Sequence, residues 1–504
     1  MELALQHLVT PAQFAAIIQA VAAKGSVIRE FRVSMGHFDR DFFTVEALRP
    51  ERLEQVEIDW ATIFGFMPRL RRLDLVGVPL LSRHFDNILE AASTSCPYVE
   101  FLILPWKGDI MQSVSGCERV KLTVLCSAME TWYVKGRCGG LQLLALPSCK
   151  EKNSLPFRSS KYLFDALARF CPGIEYVAKH QLINLLRTDY YDDKWALSLE
   201  TWKTFNASCT ALKTSHWRVV PFADPFFRVF GYHAKPQLKT LAIWSNPTWN
   251  YKRCLQELEG STLAEARECP GYGVLATDVA AVMKACPALT RLFIEIHHLG
   301  DYHTDEFYED VEVYGDVFWA AVARHCPDLK EIRVSNCSDH DDIHIIFVKT
   351  LTDRALMHLA GLPYLLECSL PPGRVTGRSI FEYIRCVSNT KNLVGNKRSI
   401  LIGIGGITRN PVEMPTFYLE IVELLKLLAE IDEKSLGAAS CRPKPSVRVD
   451  HPYECSPSFS WLDTYIQDEL RPLLKTVQGK HPSLKVDIDT SGSEIDKMKL
   501  RWVS

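Results

Sequence analysis

The feature that most constrains this chain is a cysteine–proline pair that recurs at the end of helix-like segments. It stands at Cys96-Pro97, Cys171-Pro172, Cys286-Pro287 and Cys326-Pro327, and the second residue after each proline is apolar and opens an alternating stretch. Proline cannot continue a helix and biases the residue before it toward extended geometry, so a helix must end at each pair. Helix, tight turn and short strand therefore form one repeated unit.

Short alternating segments of the LxxLxL kind recur along most of the chain. Alternation of apolar and variable residues is typical of a half-buried strand. The segments are 27–33, 52–58, 69–75, 98–104, 140–146, 173–178, 211–217, 237–243, 288–294, 328–334 and 364–370, with a weaker one at 483–488 and a degenerate one expected near 118–125.

Amphipathic helices are predicted before many of these strands, because apolar residues recur there at three- and four-residue spacing. The clearest are 10–24, 84–94, 161–170, 277–285 and 315–325. Cysteine suits the turn between helix and strand because free cysteine packs as a small hydrophobe. Where cysteine is lost the proline stays, as in Met67-Pro68, Lys235-Pro236, Leu362-Pro363 and His481-Pro482.

The Cys-Pro pairs with their strands, and the run LTDRALMHLAGLPYLLECSL at 351–370, resemble leucine-rich repeat proteins of the cysteine-containing, F-box-associated type. The resemblance covers roughly residues 10–370 and, more weakly, 371–504. It implies an α/β solenoid, a horseshoe with parallel strands on the concave face and helices on the convex face. It also implies a substrate receptor of a ubiquitin ligase. We recognise no F-box, since residues 10–34 already have the repeat pattern; contact with the ligase core would need a missing or separate F-box.

The spacing of the repeats predicts the domain organisation. We predict one irregular repeat array over residues 1–390, with insertions near 179–210, 244–275 and 297–316. Residues 391–504 are interpreted as degenerate terminal repeats, because the ends of a repeat array cap its core and depart from the consensus. A separate small domain in that segment is the alternative.

The net charge limits the kinds of binding partner that we expect, and the cysteines indicate the cellular compartment. The formal net charge is −2, which argues against nucleic-acid or membrane-surface binding, since either needs a basic face. The 16 cysteines include no CxxC pair and no zinc-ligand spacing. Such cysteines indicate buried reduced thiols and an intracellular, cytoplasmic or nuclear protein.

Signatures of catalysis are absent from the sequence. It contains no GxSxG or HExxH motif, and we predict a non-enzyme without cofactor or metal. Two acidic, histidine-containing segments, 339–344 and 297–316, could ligate a metal, but solvated loops are the preferred interpretation. A metal-dependent enzyme that uses the second segment is the least favoured of three functional hypotheses.

The concave face is the predicted binding surface, because residues between the repeat leucines point away from the core. The partner-contacting candidates are Arg72, Asp74, Phe101, Ile103, Tyr176, His216, Trp244, Arg291, Phe293, Glu331 and Arg333. The apolar and aromatic members would anchor a protein partner, and the arginines would orient it. A register shift of one residue would instead place these side chains in the core.

A protein-recognition module is therefore the leading functional hypothesis, in the form of a substrate receptor for ubiquitin transfer. The alternative from a different class is a scaffold or inhibitor that binds a partner without any coupling to a ligase.

Overall fold

The computed structural model describes the repeated core of the chain. The described residues are 1–4, 11–39, 44–47, 57–78, 82–104, 117–136, 139–146, 157–179, 199–217, 224–245, 276–298, 313–338, 348–389, 399–404, 416–436, 446–450, 464–482 and 484–489. They form two compact units: unit 1 holds Met1–Pro221 with Tyr251–Cys269, and unit 2 holds Phe222–Asn250 with Pro270–Ser504. The predicted division at residue 390 stays a prediction.

Unit 1 alternates helices with the strands of a parallel sheet. Its strands are β1 (Glu2–Ala4), β2 (Glu30–Ser34), β3 (Gly36–Asp39), β4 (Thr44–Ala47), β5 (Arg72–Gly77), β6 (Phe101–Ile103), β7 (Leu143–Leu146), β8 (Tyr176–Lys179) and β9 (Thr214–Trp217). Its helices are α1 (Pro11–Lys24), α2 (Trp60–Gly65), α3 (Arg83–Ser95), α4 (Cys117–Lys135), α5 (Phe157–Phe170) and α6 (Leu199–Ser208), and a short 3-10 turn spans Gly25–Val27. The parallel order is β1-β2-β5-β6-β7-β8-β9, and β3 and β4 form an antiparallel hairpin.

Unit 2 repeats the same plan. Its strands are β10 (Thr240–Ser245), β11 (Arg291–His298), β12 (Glu331–Ser338), β13 (Val348–Thr352), β14 (Glu367–Arg374), β15 (Ser399–Ile404), β16 (Ser446–Asp450) and β17 (Lys485–Asp489). Its helices are α7 (Asp224–Tyr232), α8 (Ala276–Ala285), α9 (Asp316–His325), α10 (Asp353–Ala360), α11 (Gly377–Asn389), α12 (Thr416–Glu430), α13 (Glu433–Leu436) and α14 (Arg471–Lys480), the last preceded by a π turn at Ile466–Leu470. The order is β10-β11-β12-β14-β15-β16-β17, all parallel, and β13 pairs with β14.

The fold is therefore the predicted α/β leucine-rich repeat solenoid. Each strand of the main series lies beside its predecessor, so every crossover runs in the same direction and the helices fall on one face of the sheet. Within the described residues the opposite face carries no helix of the repeat, and we call it the open face. Packing in each unit places the repeat leucines between sheet and helices, where Leu73, Leu102, Leu144 and Leu292 are fully buried.

Burial along the strands bears on the predicted register. Leu73, Leu102 and Leu292 have no solvent exposure, whereas Arg72, Phe101 and Phe293 are half-buried and Arg291 is exposed. Burial therefore alternates from Arg291 to Phe293 on β11, as it does between the two faces of a strand. On β5 and β6 the predicted open-face residues Asp74 and Ile103 are buried as well, so only the first open-face position of each is accessible.

One predicted strand is a helix. Residues 118–125 were expected to form a degenerate strand, but they lie within α4. The buried side chains of this helix, Leu125, Ala128, Met129 and Trp132, recur at three- and four-residue spacing. The apolar run near residue 120 resembles a strand only when it is considered without the residues that follow, because a helix needs more than two turns to show its period.

The predicted insertions lie largely outside the described residues. In the segment 179–210, α6 occupies Leu199–Ser208 and so belongs to the repeat. Residues 246–275 and 299–312 are outside the described part of the chain, as is the acidic segment 339–344. The segment 52–58 ends in non-strand residues that lead to α2, whose N-terminus is capped by Asp59.

The Cys-Pro turn has a polar role that the sequence did not indicate. The Cys326 thiol, fully buried, donates to the carbonyl oxygens of Met283 and Cys286 at 3.7 and 3.6 Å, at the end of the preceding repeat's helix. Cys96 does the same toward Phe64, and Cys209, which is followed by Thr210, does so toward Leu167 and Cys171. Each of these carbonyls already accepts a backbone N–H of its own turn, so the buried thiol adds a second donor from the next repeat.

The two polar substitutes at this turn satisfy carbonyls in the same way. Lys235 is fully buried, and its ammonium donates to the carbonyls of Phe230 and His233 at 3.2 and 2.8 Å. His481, also buried, places Nε2 2.8 Å from the carbonyl oxygen of Leu428. The hydrogen-bond donor at this position can therefore be a thiol, an ammonium group or an imidazole.

Helix N-termini of unit 2 are linked by a second series of contacts. Asp316 accepts hydrogen bonds from the backbone N–H and hydroxyl of Thr352 at 2.8 and 2.5 Å. Asp353 accepts from the N–H and hydroxyl of Thr376 at 2.8 and 2.9 Å. Glu420 accepts from the N–H of Gly377 at 2.6 Å. Each acid therefore satisfies donors at the start of a neighbouring helix, which have no intrahelical acceptor.

Replacing Asp353 with alanine should lower the free energy of unfolding by about 1–3 kcal/mol, because it leaves two donors at Thr376 without their acceptor. Chemical denaturation of the purified chain measures this change. Asp328→Ala is the matched control, since Asp328 is exposed in the Cys-Pro turn that follows α9. The free energy of unfolding of this variant should stay within about 0.5 kcal/mol of the parent value. Equal effects of the two substitutions would contradict a structural role for Asp353.

Candidate protein-binding face

The open face of unit 1 carries a row of apolar side chains on three neighbouring strands. Phe101 of β6 is paired in register with Leu143 of β7, and Leu143 with Tyr176 of β8. All three are half-buried. Neighbouring strands lie about 4.8 Å apart, so the row extends about 10 Å across the sheet. It is an apolar strip on a face without repeat helices, and we call Phe101, Leu143 and Tyr176 the apolar row.

Cationic side chains stand at both ends of the apolar row. Arg72 on β5 is the register neighbour of Phe101. At the other end the Lys213 ammonium lies 2.6 Å from a carboxylate oxygen of Glu175 and 5.9 Å from the centre of the Tyr176 ring. The hydrogen bond to Glu175 raises the pKa of Lys213, so the ammonium is retained at neutral pH. The row is therefore an apolar centre with a polar edge, at which Arg72 is a cation without an ion pair in the described part of the chain and Lys213 is compensated by Glu175.

The open-face positions two residues after Arg72 and Phe101 expose less surface than predicted. Ile103 is 7% exposed and Asp74 is 7% exposed. Asp74 forms an ion pair with Arg32 at 3.0 Å and accepts a hydrogen bond from the N–H of Val76 at 3.1 Å. Asp74 therefore serves to hold Arg32 and the end of β5, and Ile103 adds little area that a partner could contact.

The open face of unit 2 is a network of ion pairs. Arg333 is 2.8 Å from Glu331 on its own strand and 2.7 Å from Glu367 on the next, and Arg291 lies 3.7 Å from Glu331. Phe293 is paired in register with Arg333. The charges compensate one another within the sheet, and exposed pairs of this kind contribute little to stability. The structure thus groups four predicted residues, Arg291, Phe293, Glu331 and Arg333, in one patch.

Two predicted residues are placed by their backbone alone. His216 lies on β9, and Trp244 lies on β10 in register with Glu295 of β11. Their side chains are outside the described part of the structure. Both residues belong to strands that supply the open face of their unit.

Sequence reasoning passed over Leu143 and the Lys213–Glu175 pair. Leu143 was assigned to an open-face position of its repeat but was not among the predicted anchors. Lys213 and Glu175 each stand immediately before an open-face residue, Thr214 or Tyr176. Opposite charges at the strand entrances of adjacent repeats are connected only by the strand pairing, since the two residues are 38 positions apart.

The described residues were compared with the requirements of a metal site and of a membrane-spanning helix. Among the described residues, no group of three or more histidine, cysteine or acidic side chains is arranged to hold a metal ion. Within the same residues, no helix has the length and apolar character needed to cross a membrane. The acidic, histidine-containing segments 299–312 and 339–344 are outside the described part of the chain, so the prediction about them stays a prediction.

Comparison with known proteins gives distant structural matches. No protein-family model and no curated protein matches the chain. The crystal structure of the Rad7 and Elc1 complex in yeast matches with a TM-score of 0.34 and 9% identity, over 97% of this chain and 90% of that chain. The leucine-rich repeat-containing protein LegL7 from Legionella pneumophila matches with a TM-score of 0.26 and 11% identity, over 67% of this chain and 91% of that chain. The description of the fold as a leucine-rich repeat solenoid rests on the strand order and turns of the chain itself.

Proposed function

We propose that this chain recognises a protein partner through the open face of its sheet, with the apolar row of unit 1 as the main anchor. The observation that carries the proposal is the register of Phe101, Leu143 and Tyr176 on three adjacent strands. Apolar patches rimmed by polar groups mark interaction sites. Aromatic residues at the centre of such patches supply most of the binding free energy.

Charge at the edge of the row sets the kind of partner. Arg72 and Lys213 flank the apolar centre, and Arg72 has no ion pair within the described part of the chain. A partner segment with an aromatic or branched aliphatic side chain, followed or preceded by an acidic residue, complements this arrangement. In unit 2 the positive and negative charges of the ion-pair network are equal in number, so this patch would contribute to the specificity of binding more than to its affinity.

The resemblance of the repeats to F-box-associated proteins extends the proposal to a substrate receptor of a ubiquitin ligase. Such a receptor would reach the ligase core through an F-box that is missing from this sequence or supplied separately. A scaffold or inhibitor that uses the same face is the alternative. The proposal includes a cytoplasmic or nuclear location, because reduced thiols persist in those compartments.

Replacing Tyr176 with glutamate should reduce capture of the partner at least about tenfold, because Tyr176 is one of the two aromatic residues of the apolar row and loss of an aromatic anchor typically costs about 2 kcal/mol or more. The measurement is affinity purification of the tagged chain with quantitative mass spectrometry of the recovered proteins. Tyr232→Glu is the matched control, since Tyr232 is an 81% exposed tyrosine on helix α7; its capture should equal that of the parent.

Two results would count against recognition through the apolar row. Undiminished capture by Tyr176→Glu, with normal capture by the control, would place the binding surface elsewhere. Unfolding of Tyr176→Glu, seen by circular dichroism, would show that Tyr176 serves the core. Cullin-type subunits recovered with the partner would favour the receptor, and a recurring partner without them would favour the scaffold or inhibitor.

A further inference from the structure

A cavity of about 680 Å³ lies between helices of unit 1, away from the strands that form the proposed binding face. Its described walls come from three consecutive helices, α4, α5 and α6. Much of the surface is apolar or aromatic, with Leu122 from α4, and Tyr162, Ala166 and Phe170 from α5. Cavities of roughly 300–1,000 Å³ with such walls are typical of small-molecule sites.

One carboxylate in this cavity has no counter-charge. Asp165 lines the wall and is half-buried, and within the described part of the chain it makes no ion pair or hydrogen bond. The nearby Arg169 is exposed, and its guanidinium lies 5.8 Å from the centre of the Phe170 ring. Arg169 stands one helical turn after Asp165, yet it contacts the ring and leaves the carboxylate unpaired.

Aromatic rings complete the environment of Asp165. Tyr162 is 50% exposed at the cavity, and Phe170 already supports one cation, that of Arg169. A cation near an aromatic face gains electrostatic attraction from the ring quadrupole, and a half-buried carboxylate attracts it more strongly than one in bulk water. Carboxylate and rings together form the chemistry that binds an organic cation with an apolar body.

We propose that this cavity binds a small organic cation, an amine or guanidine on an aromatic or branched aliphatic body, with Asp165 as its counter-ion. The cavity is open to solvent on one side, where Tyr162 and Arg169 are exposed, and its volume of about 680 Å³ is that of a small-molecule site. The site is independent of protein recognition by the open face, since none of its walls comes from a strand.

The test is titration of the full chain with phenethylamine, and with 2-phenylethanol as its uncharged analogue. The parent should bind phenethylamine and should bind the alcohol more weakly. Asp165→Asn should weaken phenethylamine binding about tenfold, because a charged hydrogen-bond partner is lost. Arg169→Gln should strengthen it about threefold, because a competing and repelling cation is removed. Opposite effects from two residues one turn apart would not arise from nonspecific apolar binding.

The controls separate a specific site from misfolding and from other ligands. Glu130→Gln changes an exposed acid of α4 that does not line the cavity, and should leave binding unchanged. On the unaltered chain, phenethylamine should slow iodoacetamide alkylation of Cys126, which lines the cavity, and this result does not depend on how any variant folds. Equal binding of amine and alcohol, no binding at millimolar amine, or tighter binding of N-acetyl-lysine amide than of phenethylamine would each overturn the proposal.

Discussion

Raising the pH above about 9 is expected to remove most of the stability of this protein within two pH units, because its buried thiols cannot ionise in the folded state. Burial raises the pKa of Cys96, Cys171, Cys286 and Cys326 to about 12, against about 9 for an exposed thiol. The unfolded chain therefore releases protons between pH 9 and 12 that the folded chain retains.

The sign and the size of this effect follow from the raised pKa values. Because the folded pKa lies above the unfolded value, the contribution of each thiol is fully present below pH 9 and is lost as the pH rises toward 12. Each thiol costs a little more than about 1 kcal/mol of unfolding free energy per pH unit in this window. Two of these thiols lie in each compact unit, so each unit loses roughly 3 kcal/mol per pH unit, or about 6 kcal/mol over two pH units, against about 5–15 kcal/mol for the whole stability of a typical domain.

Urea denaturation at a series of pH values from neutral to alkaline measures this loss. Cys326→Ala should lower the free energy of unfolding at neutral pH, since it removes the thiol that donates to the carbonyls of Met283 and Cys286. At alkaline pH its free energy of unfolding should fall less steeply with pH than that of the parent, because one fewer proton is released on unfolding. Leu329→Ala, a buried residue of the same turn, should lower stability equally at every pH. A parent whose urea midpoint is the same at pH 8 and pH 11 would contradict the buried state of these thiols.

Replacing Gly140 with alanine is expected to lower the free energy of unfolding of unit 1 by more than about 3 kcal/mol. Gly140 has a φ of +98°, which side-chain-bearing residues rarely adopt. An added Cβ would also lie 2.0 Å from the carbonyl oxygen of Phe170 and 3.1 Å from the Cα of Cys171. Both obstacles are backbone atoms of the next repeat's Cys-Pro turn, so no side-chain rotation relieves the contact.

Gly139 allows the cost of the positive φ to be measured apart from the cost of the close Cβ contact. Gly139 also has a positive φ, +71°, but an added Cβ meets nothing within 4 Å. Gly139→Ala should therefore cost only the backbone term, about 1 kcal/mol. Gly173→Ala, with open space and ordinary φ, should be neutral. Thermal and urea denaturation of the three variants would measure the order, and equal losses for Gly139→Ala and Gly140→Ala would refute the close approach of repeats at this turn.

Much of the repeat could be predicted from sequence because its signals are local. The alternation around Leu102 and Leu292 predicted both the strands and their buried face, and the proline after Cys326 predicted the helix end. Residues 118–125 were misassigned since the apolar run was shorter than the helix that contains it. The strand at Ser446–Asp450 was missed because it lies in a segment rich in proline and serine.

The sequence by itself determined the repeat, its turns and the buried leucines of its strands, since each depends on residues a few positions apart. Only the tertiary structure decided that Ile103 and Asp74 are buried, that Phe101, Leu143 and Tyr176 form one row, and that the Cys326 thiol donates to the preceding helix. The cavity around Asp165 likewise appears only when three helices pack. These features join residues about 30 to 80 positions apart, and packing between repeats, which no local pattern encodes, sets their burial and partners.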